Sequence, residues 1–346
     1  MRRHLNTLYV TSDGAWINKD GENIVVSLNG AELGRVPMHG IGAIVAFGRV
    51  AISAPLMSAA AAAGITMTHL SDHGRFMARI EGPVSGNVLL RRTQYRWADD
   101  TARRNPIVKS IVAGKVFNQR AVLNRALRDH GATMSASASK EVSAAVDRLT
   151  NIVRRLEKPL DTDQLRGAEG EAALTYFGVF DHLVRGEKPL FAFSGRSRRP
   201  PMDAINALLS FIYILLTSDV RGALESVGLD PAVGYLHSDR PGRASLALDV
   251  MEEFRPFFAD RLVLSLINRR QLGENDFRCL ENGATLLTDD GRKAVLAAYQ
   301  ERKRGEFQHA FLDEKITFGL AWFAQAQLFA RHLRGDLDIY PPILWK

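Results

Sequence analysis

The segment GYLHSDRPGRASLALDVMEEFRP, residues 234–256, decides how the chain is interpreted, because a loop with a histidine leads directly into a short acidic helix. Pro241-Gly242 excludes a continuous helix through the middle of the segment. Ser245 is suited to the N-cap of the helix, and Pro256 is expected to end it after Arg255. The segment therefore predicts a loop followed by a helix of about three turns.

The polar residues of this segment allow two interpretations. One face of the helix is apolar, formed by Ala247, Val250, Met251 and Phe254. Asp249 and Glu252 lie on the other side, one turn apart, so that with His237 they offer oxygen and nitrogen ligands to a divalent cation. The alternative is a surface helix with solvated acids and a histidine that caps a neighbour. On these residues alone the surface helix is favoured, because acids on exposed helix faces are common.

Composition limits the class of protein. The chain has 346 residues, 46% of them hydrophobic and 24% charged, which is typical of a globular protein of about two domains. The single cysteine, Cys279, excludes an intramolecular disulfide and fits a reducing cytoplasm, where we expect the protein. No signal peptide is recognisable. The apolar run near residues 205–216 is too short to cross a bilayer, so we expect a buried helix and no membrane partner.

The first part of the chain predicts a β-rich domain over residues 1–81, followed by a larger all-α domain over residues 82–346, and hence an α+β fold. Short β-type runs occur at residues 5–10, 23–28, 40–47, 65–70 and 75–80. They are punctuated by pairs that favour tight hairpin turns: Asp13-Gly14, Asp20-Gly21 and Asn29-Gly30. Ser53 is suited to cap a single alanine-rich helix between them.

The second part is helical in pattern almost to its end. Two glycines and a proline at residues 81–86 predict the boundary. We expect a core helix over residues 203–217, a last helix over residues 311–334 and an extended tail at residues 340–346.

Charge favours an anionic partner, since the net charge is +7 and the sequence pI is about 9.6. Residues 91–129 hold ten lysines and arginines against three aspartates, a local charge of +7. Such a run is either a solvated helix face or a surface that follows a phosphate backbone. The same two interpretations apply to a basic arm at residues 195–201, which carries Arg196, Arg198 and Arg199.

A further candidate carboxylate, Glu169, is notable for its position on a predicted helix. Glu169 falls in the middle of an apolar stripe that continues through Ala172 and Tyr176, whereas Glu171 points away from that stripe. A buried carboxylate needs a partner, because burial of an unpaired charge is costly. Glu169 is therefore either paired with the N-terminus of its own helix or a ligand of a cation.

Taken together, these segments resemble the CRISPR-associated adaptation integrase/endonuclease family, and within it the subtype I-C branch. The resemblance covers the whole chain and rests on Glu169-Gly170 and on residues 194–201, 206–210, 234–237 and 245–256. It implies a β domain for dimerisation, a helical domain that holds one metal site, and a homodimer. It also implies assembly with a small second adaptation protein and insertion of short foreign double-stranded DNA into the repeats of a CRISPR array.

The resemblance also implies the site residues. The metal ligands are Glu169, His237 and Glu252, with Asp249 as an alternative ligand or a support behind the ligands. Mixed carboxylate and imidazole ligands suit Mg²⁺ or Mn²⁺, and no HxxxH or CxxC spacing points to zinc. Arg240 and Arg243 flank this site and are expected to hold the scissile phosphate.

The implied enzyme is a divalent-metal-dependent DNA endonuclease/integrase that hydrolyses phosphodiesters and transfers strands. A DNA 3′-hydroxyl or water is the nucleophile, since no Ser-His-Asp or Cys-His set is recognisable. The alternative is a non-catalytic DNA-binding scaffold in which the acids and His237 are structural.

Overall fold

A computed structural model describes residues 6–72, 74–80, 82, 88–186, 188, 190–197 and 199–345. The predicted α+β order is confirmed: strands dominate as far as residue 80, and helices dominate from residue 88 onward. The boundary expected at residues 81–86 falls almost entirely on residues outside the described part of the chain, so the domain limits at 81 and 82 remain a prediction.

The N-terminal part contains two four-stranded sheets within the described residues. One has the order β1-β5-β7-β8, and the other has the order β4-β3-β2-β6. α1 (Ala54–Ala62) packs against the sheets through Leu56 and Ala60, and Ser53 caps it as predicted by accepting a hydrogen bond from the Leu56 backbone N–H. The strands are β1 Asn6–Val10, β2 Trp16–Asp20, β3 Asn23–Leu28, β4 Ala31–Pro37, β5 Ile41–Phe47, β6 Ala51–Ile52, β7 Thr66–Leu70 and β8 Phe76–Ile80.

Strand pairing differs in part from the hairpin pattern. Asp20-Gly21 and Asn29-Gly30 do join antiparallel neighbours, β2 with β3 and β3 with β4. Asp13-Gly14 instead carries the chain from one sheet to the other, because β1 and β2 lie in different sheets. β5 pairs in parallel with both β1 and β7, a long-range arrangement that no local turn signal encodes.

The C-terminal part packs its helices around α6, which Asp203 caps and which extends well beyond the predicted end at residue 217. Two short antiparallel hairpins interrupt the helices. The elements are α2 Val88–Asp99, α3 Thr101–His130, α4 Ala136–Arg155, α5 Thr162–Gly178, α6 Ala204–Ser226, α7 Ser245–Phe254, α8 Arg261–Asn268, β9 Phe277–Cys279, β10 Thr285–Leu287, α9 Asp289–Arg304, β11 Glu306–His309, β12 Glu314–Thr317 and α10 Phe318–Arg334.

The central helix α6 is, at 23 residues, long and apolar enough to span a bilayer by length and composition. Most of its apolar window, 61%, is however buried inside the protein. The expectation of a buried helix in this region is confirmed, although the argument from its short length is wrong.

Two predicted helix limits are also wrong. The chain does not stop being helical at Pro256: a π-helical segment, Arg255–Asp260, joins α7 directly to α8, and its wider turn accommodates the proline. The last helix begins at Phe318 because the residues before it form the β11–β12 hairpin.

Val45, Phe47 and Leu70 of the first sheet belong to the apolar core of the helices, whereas a second apolar core lies within the β-rich part. Phe47 of β5 packs against Phe211 of α6 with 6.1 Å between ring centres. Thr68 of β7 is hydrogen-bonded to Ser218 of α6 at 3.2 Å, and Lys303 Nζ of α9 donates to Thr7 Oγ1 of β1 at 3.2 Å. The β-rich part therefore packs against α6 and α9, and α6 in turn packs against α7, which carries part of the site described next.

Candidate metal centre

The loop before α7 is held in place by one carboxylate. Asp249 Oδ2 accepts the backbone N–H groups of Tyr235 at 2.6 Å and Leu236 at 3.0 Å. Asp249 Oδ1 accepts the backbone N–H of His237 at 2.9 Å and lies 2.6 Å from His237 Nδ1. Because Asp249 is fully buried and saturated by these contacts, it orients the imidazole and leaves Nε2 free of this bond. The interpretation of α7 as a surface helix with solvated acids is wrong.

The start of α7 also differs from expectation. The N-cap residue is Ala244, which provides no side-chain cap, and Ser245 is the first helical residue. The Ser245 hydroxyl donates to the Ser238 carbonyl at 3.2 Å instead. Ser245 therefore fastens the histidine loop to the helix rather than capping the helix.

The second acid of α7 lies among cations. Glu252 is 2% exposed; its Oε1 accepts Arg255 Nη1 at 2.5 Å, and its Oε2 lies 2.7 Å from Lys115 Nζ. His237 Nε2 lies 3.9 Å from Glu252 Oε1. Burial opposes ionisation of this carboxyl most strongly, but Arg255, Lys115 and His237 outweigh burial and lower its pKa to about 2. Glu252 is therefore a buried, fully ionised carboxylate.

Glu169 lies in the middle of α5, two turns after the helix begins at Thr162, so the proposed pairing with the helix N-terminus is wrong. Its carboxylate is 27% exposed and forms an ion pair with Lys115 instead. Glu171, as predicted, points away and pairs with Arg155 on the surface at 2.5 Å. The apolar stripe on α5 therefore correctly predicted that Glu169 lies on the inner face of the helix and Glu171 on the outer face.

Lys115 brings the two glutamates together and was not predicted. It projects from α3 with its side chain 5% exposed and contacts both Glu169 and Glu252. The sequence did contain a signal: Lys115 follows Ile111 and Val112 at helical spacing and precedes Val116, all of them buried. The stripe argument applied to Glu169 would also have identified this lysine.

The donor set fits a hard divalent cation, since it combines two carboxylates with an oriented imidazole nitrogen. Among the described residues, no well-directed hydrogen bond reaches Glu252 Oε2, so its contact with Lys115 leaves a buried oxygen able to coordinate. As the described side chains are placed, they form no ready group of three ligands, because the Lys115 ammonium stands between the carboxylates. The assignment of Glu169, His237 and Glu252 as ligands remains a prediction.

The arginines proposed to bind DNA have different environments. Arg196 is engaged internally: its Nη1 donates to Asn206 Oδ1 at 2.5 Å and its guanidinium lies 5.4 Å from the centre of the Tyr213 ring. Arg199 is exposed, whereas Arg198 lies outside the described residues. None of these three assignments is tested by the fold.

A basic cleft adjoins the histidine loop. Its volume is about 1100 Å³, and five arginines from β8, α2, α6 and the loop before α7 line it: Arg79, Arg91, Arg221, Arg240 and Arg243. Two acids line it as well, Asp230 and Glu225, and Glu225 pairs with Arg79 and Arg221. Residues 240–243 connect His237 to α7, so the cleft adjoins the histidine loop, although Glu169, His237 and Glu252 do not line it.

The C-terminal tail closes the other side of α7. Glu253, also fully buried, accepts hydrogen bonds from Tyr340 Oη at 2.7 Å and from the backbone N–H of Ile343 at 2.7 Å. Asn118 of α3 donates to the Glu253 and Ile343 carbonyls at 2.8 and 2.9 Å. Glu253 therefore binds the C-terminal tail.

Fold and site together define a mixed β-sheet and helical protein with a carboxylate–histidine centre beside a basic cleft. Residues 8–301 match the family "CRISPR associated protein Cas1". The chain is 59% identical to "CRISPR-associated endonuclease Cas1 2" of Rhodospirillum rubrum, over 100% of each chain. The chain therefore belongs to the CRISPR-associated Cas1 family.

Solved structures show the same fold. The structure titled "Casposase bound to integration product" is similar with a TM-score of 0.83 and 22% identity, covering 99% of this chain and 94% of that one. A chain of a "Cas6-RT-Cas1--Cas2 complex" is similar with a TM-score of 0.82 and 22% identity, covering 100% of this chain and 36% of that one.

Proposed function

We propose that this protein is a divalent-metal-dependent DNA endonuclease/integrase that inserts short foreign DNA fragments into a CRISPR array during spacer acquisition. The observation that carries the proposal is the convergence of Glu169 and Glu252 on one buried point, with His237 Nε2 3.9 Å from Glu252 Oε1. The 59% identical relative named as an endonuclease supports the same activity.

In this proposal Glu169, Glu252 and His237 Nε2 hold Mg²⁺ or Mn²⁺. When bound, such an ion polarises the phosphoryl oxygen, activates the attacking hydroxyl and stabilises the leaving oxygen. Asp249 accepts the Nδ1 proton of His237, which keeps the lone pair of Nε2 directed at the site. The nucleophile is a DNA 3′-hydroxyl in strand transfer or water in nicking.

Positioning of the DNA falls to the basic cleft. Arg240 and Arg243 lie on the loop between His237 and α7 and line the cleft, which supports their proposed contact with the scissile phosphate. Arg199, which is exposed, extends the basic surface, and Arg198 is proposed for the same role from the sequence alone. Positive charge along this surface attracts duplex DNA without selecting its sequence.

The partners proposed are double-stranded DNA, a second copy of this chain and a small second adaptation protein. A structural neighbour is part of a complex that contains Cas2, which supports a protein partner of this kind. Membership of the subtype I-C branch and a location in the cytoplasm are further proposals, supported by the motifs and the single cysteine.

A non-catalytic DNA-binding scaffold is the second candidate. It accounts for the basic cleft. It gives no reason, however, why the ionised Glu252 is buried beside the His237 imidazole, or why a second buried carboxylate, Asp249, orients that imidazole. The enzyme is therefore the better explanation of the centre.

His237→Ala separates the two candidates. One ligand lost from a three-ligand site empties it, so strand transfer and nicking in Mn²⁺ or Mg²⁺ should fall to background while affinity for duplex DNA stays within about twofold, because the arginines remain. Glu171→Ala, on the outer face of α5, is the control and should keep full activity. A folded His237→Ala protein that joins DNA ends at the wild-type rate would refute the enzyme.

A further inference from the structure

The space between Glu169 and Glu252 is filled by a cation that belongs to the protein. The Lys115 ammonium contacts both carboxylates, and its side chain is only 5% exposed. Close packing of the helices makes this reach possible: a Cβ at Gly114, the residue before it, would lie 3.3 Å from Glu253 Cγ and 2.9 Å from Pro342 Cβ. α3 therefore approaches α7 closely at this point.

The same carboxylates already have enough positive charge nearby. Glu252 accepts a hydrogen bond from Arg255 in addition to its contact with Lys115. A divalent ion placed between Glu169 and Glu252 would stand within a few ångströms of two fixed cations, in a largely buried site where water screens their repulsion only weakly. The ammonium and the ion cannot both occupy the position between the two carboxylates.

We propose that Lys115 is a tethered competitor of the divalent cation: its ammonium holds Glu169 and Glu252 together without metal and is displaced when the ion binds. This inference rests on the proposed metal site. It makes Lys115 a positioning residue that joins α3, α5 and α7 in the metal-free protein and weakens metal affinity, so that the site fills only at higher concentrations of free ion.

Lys115→Met removes the charge and keeps most of the side-chain volume, and Lys115→Gln also keeps a hydrogen-bond donor. In EDTA both variants should melt at lower temperature than the wild type, because Glu169 and Glu252 then face each other with no cation between them and only Arg255 beside Glu252. Isothermal titration with Mn²⁺ should give at least tenfold tighter binding in both variants. Saturating Mn²⁺ should raise their melting temperature more than that of the wild type.

Lys109→Met is the matched control, since Lys109 lies on the same helix with its Nζ bonded to the Glu157 carbonyl near the surface. It should leave both Mn²⁺ affinity and the metal-induced shift unchanged. Equal or weaker Mn²⁺ binding by the Lys115 variants would overturn the inference, and so would variants that stay unfolded with Mn²⁺ present. A variant that folds only with Mn²⁺ would support it.

Failure of the underlying metal site is recognised separately. If the wild-type protein binds no Mn²⁺, or binds it equally well after His237→Ala, then the proposed function fails whatever Lys115 does. If His237→Ala abolishes binding but Lys115→Met does not tighten it, the metal site stands and only the competition is wrong.

Discussion

The guanidinium of Arg255 lies 4.7 Å from the ring centre of Tyr213, while its Nη1 donates to Glu252. Arg196 of the basic arm lies against the same ring at 5.4 Å. One tyrosine of α6 therefore stands between the arm and the carboxylate of the candidate metal centre. Because cation–π contacts of this kind are stronger when removed from water, the arm and the site share part of their packing.

The internal position of Arg196 predicts that two arginines of the arm behave differently. Arg196→Ala removes a hydrogen bond to Asn206 and the contact with Tyr213, and should lower the free energy of unfolding by about 1–3 kcal/mol. Arg199→Ala should leave stability unchanged and reduce the slope of log binding constant against log salt by about 0.9, as expected for one lost phosphate contact. Urea unfolding and DNA binding at several salt concentrations measure the two effects. An identical pattern in both variants would contradict this division.

Asp249→Asn tests the support behind His237. The asparagine amide cannot accept hydrogen bonds from all the N–H groups that now point at the carboxylate, so the histidine loop is no longer held in place. The free energy of unfolding should fall by on the order of 3 kcal/mol. Affinity for Mn²⁺ should fall by about 10–100-fold, the usual cost of removing a group behind a metal ligand. Titration calorimetry checks the affinity. Asp239→Asn in the same loop, where the Gly234 contact is a weak 3.4 Å, should change neither.

Asp260 predicts a pH effect on stability. Burial raises the pKa of this carboxyl to about 6, against the hydrogen bond from Tyr213 and the attraction of Arg196 and Arg255. Its unfolded value is 3.8, so the folded state binds more protons between pH 4 and 6, and stability falls as pH rises through that window. Asp260→Asn should remove this fall, worth on the order of 2–3 kcal/mol.

Chemical denaturation of both proteins at pH 4, 5, 6 and 7 measures the difference. The difference in the free energy of unfolding between the Asp260→Asn variant and the wild type should grow up to pH 6 and then stay constant. Asp290→Asn on the exposed start of α9 is the control and should follow the wild type at every pH. A constant difference from pH 4 to pH 7 would show that Asp260 does not titrate in this range.

Asn118 predicts that the tail can be released separately from the helices. Its side chain bonds to Glu253, Ile343 and the Trp345 backbone N–H, all buried. Asn118→Ala should cost about 2–4 kcal/mol and increase hydrogen exchange of residues 340–345. Exchange measured by mass spectrometry follows the tail, and Asn151→Ala on the exposed face of α4 should have no effect. Unchanged protection of the tail would mean that Tyr340 and Trp345 hold it without Asn118.

Local signals in the sequence predicted local structure well. Asp203 and Ser53 cap the helices expected to follow them, because capping depends on a hydrogen bond within three residues. The apolar stripe placed Glu169 inside and Glu171 outside, since the helical period alone decides which face a side chain takes. Such features need no knowledge of the rest of the chain.

The centre itself depends on long-range contacts. Lys115 meets carboxylates 54 and 137 positions further along the chain, and no pattern near residue 115 names those partners. Asp249 and Glu252 looked equivalent on one helix face, yet one supports the loop and the other meets the cations, because the path of the histidine loop determines which acid it contacts. The parallel pairing of β5 with β1 and β7 could not be predicted from local patterns either, because its partners are distant in the sequence.

The π-helical segment Arg255–Asp260 adds about one residue to what would otherwise be a continuous α-helix from α7 to α8. One residue corresponds to a rotation of about 100° around the helix axis. A deletion of a single residue here would rotate Asp260 and all of α8 by that angle relative to Glu252. The hydrogen bond of 2.6 Å from Tyr213 to Asp260 would then be lost. The segment thus sets the angular phase between the carboxylate of the metal centre and the buried acid behind it.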